Sequence, residues 1–138
     1  ADQFNIKKKI FSFQNIENTE KNILILIKKE KINLICLAGF MKILSKNFIN
    51  KFNGKIINIH PSLLPKYKGL NTHQRAISKK DKFAGCTVHH VTARLDSGKI
   101  IMQKKVAITT NDSPTSLAKK VLKQEHKLYP AAIMKIFN

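Results

Sequence analysis

The chain has 138 residues, 43% of them hydrophobic, and a formal net charge of +18 from 26 Lys+Arg against 8 Asp+Glu. This length suits one domain around a single core, and the apolar fraction excludes a disordered tail. No apolar run approaches the ~20 residues of a membrane span, and the basic start of the chain lacks the apolar stretch and cleavage site of a secretory signal.

In chain order, residues 10–13 alternate apolar and polar and are expected to form a short strand. Residues 17–30 read as a helix, with Ile23, Leu24 and Ile27 at helical spacing. Residues 33–38 are a continuous apolar run, as in a parallel strand buried on both faces, and Gly39 breaks it. Ser45 suits the N-cap of a short helix through Phe52, Asn53-Gly54 is a turn, and residues 55–60 form a second buried strand ended by Pro61. A loop follows over residues 61–70, with Pro65 and Gly69 in it, and then a helix over residues 72–80. Residues 86–92 and 100–106 read as two strands joined by the turn-like Leu95-Asp96-Ser97-Gly98. Ser113-Pro114 places an N-cap before a proline at the first helical position. The helix it starts is expected to run to about His126 and to resume after Pro130.

This order predicts an α/β fold in three layers: a largely parallel twisted sheet with helices on both faces, Rossmann-like, as a single domain over residues 1–138. Ligands of such sheets bind beyond the carboxyl ends of the strands, which is where segments 39–44 and 58–65 fall. Cys36 and Cys86 lie in apolar, strand-like surroundings and read as buried small hydrophobes, which fits a reducing cytoplasmic setting. The basic residues are almost all lysines, with arginine only at Arg75 and Arg94, and they are scattered. That pattern describes a solvated basic surface better than a nucleic-acid groove.

The most informative stretch is 58–69. In a strand, residues two apart share a face, so Asn58 and His60 project together at the strand's end while Pro61 and Pro65 stiffen the loop behind them. An amide donor beside an imidazole suits an oxyanion developing on a carbonyl. Asp96, on a loop with Gly98, is placed to orient a histidine or to take up a proton through water. Taken singly, each of these residues also fits a plain strand end or hairpin turn.

Together they sit in a longer pattern. Leu37-Ala-Gly-Phe-Met-Lys-Ile-Leu44, Asn58-Ile-His-Pro-Ser-Leu-Leu-Pro65, Gly69-Leu-Asn-Thr-His73, Gly85-Cys-Thr-Val-His89, Leu95-Asp-Ser-Gly98 and Gln124-Glu-His-Lys-Leu-Tyr-Pro130 occur in this order, and the chain from Asn33 onward resembles the phosphoribosylglycinamide formyltransferases. The resemblance implies a formyltransferase catalytic domain that moves a formyl group from 10-formyltetrahydrofolate, as co-substrate, to the amine of glycinamide ribonucleotide in purine synthesis. It implies Asn58, His60 and Asp96 as the catalytic trio. Met41, Lys42, Ile43 and Leu44, with Asn58, Thr92, Ala93, Arg94, Leu95 and Asp96, would hold the folate, largely through backbone groups. Leu122, Lys123, Gln124 and Glu125 would meet the nucleotide, with Glu125 on its amine. His73 matches a histidine near the catalytic group, and a structural role at a helix start fits it equally. The expected partners are these two small molecules, with no metal, membrane or nucleic acid, and a monomeric or homodimeric state.

The pattern also departs from the family. A strand, a glycine-rich loop and a helix that cradle the substrate phosphate open the family's fold, and no such loop stands near the start here. A βαβ unit takes ~30 residues, so the resemblance implies an N-terminally incomplete fold. Asn71 stands where histidine is frequent, Lys42 for arginine, Leu122 for a polar residue, and Ala93-Arg94 for an acidic pair. A methionyl-tRNA formyltransferase shares the Asn-x-His-Pro-Ser-Leu-Leu-Pro run, but Gly69-Leu-Asn-Thr-His73 resembles the nucleotide enzyme. A formyltetrahydrofolate deformylase differs at Pro61-Ser62. A non-catalytic basic nucleic-acid-binding module is the alternative of another class, and RNA binding measured at low and high salt discriminates it. His89 and His90 would face opposite ways on a strand, and no Cys/His spacing resembles a zinc site.

Overall fold

The structure, a computed structural model, describes residues 2–138. After a short 3₁₀ turn at Asp2–Phe4 the elements run α1 (Ile16–Lys29), β1 (Leu34–Leu37), α2 (Lys46–Lys51), β2 (Lys55–His60), α3 (Thr72–Ser78), β3 (Phe83–His90), β4 (Ile100–Ala107) and α4 (Pro114–Phe137). Side-chain caps set three of the helix starts: Asn15, Ser45 and Ser113 each accept a hydrogen bond from the backbone N–H three residues on. At Ser113 the side chain of Ser116 returns the bond, closing a capping box.

The strands lie in the order β1-β2-β3-β4, and β2 shows how the layers form. Ile57 and Ile59 enter one core with Cys86, Val88, Leu117, Val121, Leu128 and Ala132, under α3 and α4. Ile56, one residue out of phase, enters a second core with Ile27, Leu44, Phe48 and Phe52, under α1 and α2. The sheet is thus covered on both faces, as the sequence predicts for an α/β fold.

The sheet is mixed rather than largely parallel. Among the described residues only β1 and β2 pair in parallel; β2/β3 and β3/β4 are antiparallel. The segment between His90 and Ile100 is too short for the crossover a parallel pair requires. The segment with α3 returns the chain at the end where β2 left it, pairing His60 with Thr87.

Three local expectations also fail. Residues 10–13 form no strand: Ser12 gives its carbonyl to Thr19 Oγ1 at 2.5 Å, and Phe13 packs edge-on against Phe40. Cys36 is exposed, because among the described residues β1 is an edge strand. α4 does not stop before Pro130 but runs through it. Packing overrides the proline: Leu128 and Ala132 on either side are buried, and Tyr129 Oη donates to the carbonyls of Leu37 at 2.8 Å and Ile57 at 3.2 Å. Among the described residues, no helix is long and apolar enough to cross a membrane.

Candidate active site

Asn58 and His60 come from the last turn of pleat in β2, and Asp96 reaches them from the β3–β4 connection. Asp96 holds a left-handed backbone conformation, φ +44°, which aspartate tolerates better than most residues. Two residues on, a β-carbon at Gly98 would stand 1.7 Å from the carbonyl oxygen of His90, so only glycine lets the loop close this tightly. The turn that carries Asp96 is therefore more constrained than an ordinary hairpin.

This geometry brings the carboxylate to the imidazole. Asp96 Oδ2 lies 3.4 Å from His60 Nδ1 and accepts a hydrogen bond from the Gly69 backbone N–H at 2.9 Å. His60 Nε2 lies 2.9 Å from the Tyr67 carbonyl. A carbonyl only accepts, so Nε2 carries a proton there, and Nδ1 faces a carboxylate. The doubly protonated ring satisfies both partners. The 3.4 Å separation is longer than a tight charge-assisted bond of about 2.8 Å, so the Nδ1 proton is not fully committed to Asp96.

A residue to which the sequence reading gave no catalytic role completes the network. His89 stands directly opposite Asn58 across the β2/β3 ladder and is 2% exposed. Its Nδ1 meets the His90 carbonyl at 2.8 Å, and its Nε2 lies 3.4 Å from Asn58 Nδ2 and 3.6 Å from Asp96 Oδ1. An ion pair with Asp96 would need a charged ring. Burial pushes His89 below the ordinary imidazole range, against the opposing pulls of the His90 carbonyl and Asp96. The neutral ring is therefore the better description: Nδ1–H donates to His90, and Nε2 accepts one hydrogen of the Asn58 amide. That fixes the amide with nitrogen toward the site and leaves its second hydrogen free. The signal for His89 was its strand phase, legible only once β2 and β3 are known to be neighbours.

An open cleft of about 440 Å³, solvent at its mouth included, runs beside this cluster. Lys42, Ile43, Leu44, Asn58, Thr92, Arg94, Leu95 and Asp96 of the expected folate set line it, joined by Leu37, Phe40, His89 and Val91. Met41 and Ala93 do not line it; Met41 is 78% exposed. His60, 6% exposed, is not among the residues that line the cleft, whereas Asp96, 3.4 Å from it, is.

α4, which packs in the core with Ile57 and Ile59, carries Glu125 within electrostatic reach of His60. Burial raises the Glu125 carboxyl above the ordinary carboxylate range, while the charges of His126 and His60 oppose the shift. Beside it, burial and then the Glu125 charge push the Cys86 thiol up to about 12. Gln124 is half-buried, while Leu122 and Lys123 face solvent. His73, at the start of α3, has a buried Nδ1 with no hydrogen-bond partner, and burial followed by the His60 charge lowers its pKa.

A family profile described as formyl transferase matches residues 1–133. The chain belongs to the formyl transferase family. Among relatives of this family, a phosphoribosylglycinamide formyltransferase of Haemophilus influenzae is 43% identical over 136 residues, 96% of this chain and 64% of its own. The human trifunctional purine biosynthetic protein adenosine-3 is 42% identical over 88% of this chain and 12% of its own. The solved phosphoribosylglycinamide formyltransferase of Brucella melitensis is 45% identical, with a TM-score of 0.91 over 99% of this chain and 71% of that one. The chain thus spans only part of the formyl transferases it matches.

Proposed function

We propose that this protein transfers a formyl group from 10-formyltetrahydrofolate to the amine of N1-(5-phosphoribosyl)glycinamide, the reaction its relatives are named for. The observation that carries this reading is that Asn58 and Asp96, the latter 3.4 Å from His60, line one cleft together with residues 42–44, Thr92, Arg94 and Leu95. The cleft suits a flat heteroaromatic ring with an anionic tail. Leu37, Phe40, Leu44, Val91 and Leu95 supply apolar walls, Asn58 and Asp96 polar groups, and Lys42 and Arg94 cations. The bound donor supplies an activated formyl carbon on a nitrogen leaving group.

The residues then have separate tasks. Glu125 accepts an N–H of the substrate amine and holds its nitrogen lone pair toward the formyl carbon. As the new C–N bond forms, the carbonyl electrons move onto oxygen, where Asn58 Nδ2–H and His60 Nδ1–H stabilise the negative charge. Asp96 balances the charge on His60 and, through water, takes a proton from the attacking amine and delivers it to the departing folate nitrogen. The oxygen's electrons return as the old C–N bond breaks, so no covalent enzyme intermediate is required. The decisive measurement is formation of the formylated nucleotide and tetrahydrofolate from the two purified substrates, with methionyl-tRNA as the competing acceptor. Exclusive formylation of the tRNA, or release of free formate, would overturn the assignment.

Glu125 gives this reading a pH signature. Only the ionised carboxylate accepts the amine proton, and its pKa lies above that of an exposed glutamate, ~4.3. The nucleotide KM is expected to rise as pH falls through this elevated value. Glu125→Gln is expected to remove that inflection and to raise the nucleotide KM at neutral pH, while folate affinity holds. An unchanged KM would reject the role.

His89 offers a second check. His89→Gln keeps an acceptor for the Asn58 amide, whereas His89→Ala removes it. The alanine variant is expected to lose roughly tenfold in kcat, about 1.4 kcal/mol, and the glutamine variant less. Equal losses in the two, tracked by equal falls in Tm, would make the ring a packing element only.

A further inference from the structure

Glu20 lies on α1, outside the cleft, yet it is only 4% exposed. An ionisable carboxylate that deep is costly unless hydrogen bonds compensate it. Two do, and both come from Ser45: the backbone N–H at 2.8 Å and Oγ at 2.5 Å. Ser45 Oγ spends its proton on Glu20 and accepts from Phe48 N–H at 3.0 Å. The carboxylate thus locks the serine rotamer that starts α2.

What this lock controls is the segment just before it. Between Leu37 and Ser45 the chain has no regular secondary structure, yet it contributes Phe40, Lys42, Ile43 and Leu44 to the cleft wall. Ile43 is 57% exposed, so packing alone holds the middle of the segment weakly. Its near end is tied by Tyr129 Oη on the Leu37 carbonyl, 2.8 Å, and by the edge contact of Phe40 with Phe13. At its far end, Leu44 is buried beside Phe48 and Ile27, and Ser45 is held by Glu20. A wall that binds through backbone groups needs both ends fixed, because a shift of about 1 Å at a binding site can cost as much as a lost contact.

We propose that Glu20 is a positioning residue for this wall: through Ser45 it fixes where residues 42–44 lie against the cleft, and so sets affinity for the folate without touching it. This rests on the formyl-transfer reading above.

The test combines calorimetric binding of tetrahydrofolate with steady-state kinetics on the intact protein and its Glu20→Ala, Glu20→Gln and Ser45→Ala variants. Glu20→Ala is expected to weaken tetrahydrofolate binding and raise the formyl-donor KM about five- to tenfold, with kcat and the nucleotide KM within about twofold. Glu20→Gln, which still offers Ser45 N–H an oxygen, is expected to recover part of the loss. Ser45→Ala removes only a hydroxyl and keeps the test open if the glutamate variant folds poorly; a two- to threefold loss is expected. Folded variants that bind tetrahydrofolate like wild type, or that lose both substrates equally, would overturn the role of Glu20. Failure of wild type itself to bind tetrahydrofolate would instead overturn the functional reading beneath it.

Discussion

His60→Ala is expected to lower kcat by ~10²–10³-fold, the loss that follows removal of one preorganised donor from a developing oxyanion. The ring is held from three directions: the Tyr67 carbonyl at 2.9 Å, the Asp96 carboxylate at 3.4 Å, and the walls that leave it 6% exposed. Such a donor needs no reorganisation when charge appears on the formyl oxygen. It also carries a full positive charge when both nitrogens are protonated. Removing the ring leaves Asn58 as the other side-chain donor proposed for the oxyanion. Folate KM is expected to change little, because His60 does not line the cleft. The measurement is a single-turnover rate with both substrates saturating, beside a thermal melt, since truncating a buried ring also costs stability. A folded variant with near-normal rate would remove His60 from the mechanism.

The sequence made part of this arrangement readable and hid the rest, for identifiable reasons. Asn58 and His60 were legible because strand phase is local: two residues apart means one face. The caps at Ser45 and Ser113 were legible for the same reason, since a cap is satisfied within three residues. The parallel share of the sheet was not, because strand direction depends on where a connection returns, and the loop after His60 brings the chain back antiparallel. Pro130 was misread because a local penalty lost to distant contacts: Tyr129 reaches the carbonyls of Leu37 and Ile57. His89 depended on the same missing information, as its partner Asn58 lies on another strand. Glu20 was invisible as a buried group, because its compensation comes from Ser45, 25 residues further along the chain. Contacts within one element could be read from the chain; contacts that bridge elements had to be seen.

Asp96→Asn separates charge from shape in a way the other substitutions do not. Asparagine is nearly isosteric and also tolerates the left-handed backbone that this position requires, φ +44°. Its amide oxygen can still accept the Gly69 N–H, so the loop is expected to keep its form. What changes is the face toward His60. A neutral amide no longer balances a charged ring across 3.4 Å. If its NH₂ turns that way instead, it meets Nδ1 as a donor, takes up the lone pair of a neutral ring and gives up the Gly69 bond, because one oxygen, Oδ2, faces both partners. Either outcome removes the proton that faces the oxyanion, and it removes the carboxylate that receives the amine's proton. General acid–base groups contribute ~10²–10⁴-fold, so kcat is expected to fall by at least ~10²-fold while tetrahydrofolate affinity stays within about threefold. If folate affinity instead falls in parallel with kcat, Asp96 shapes the pocket and does not move protons, and the assignment of a proton-transfer role to this loop is wrong.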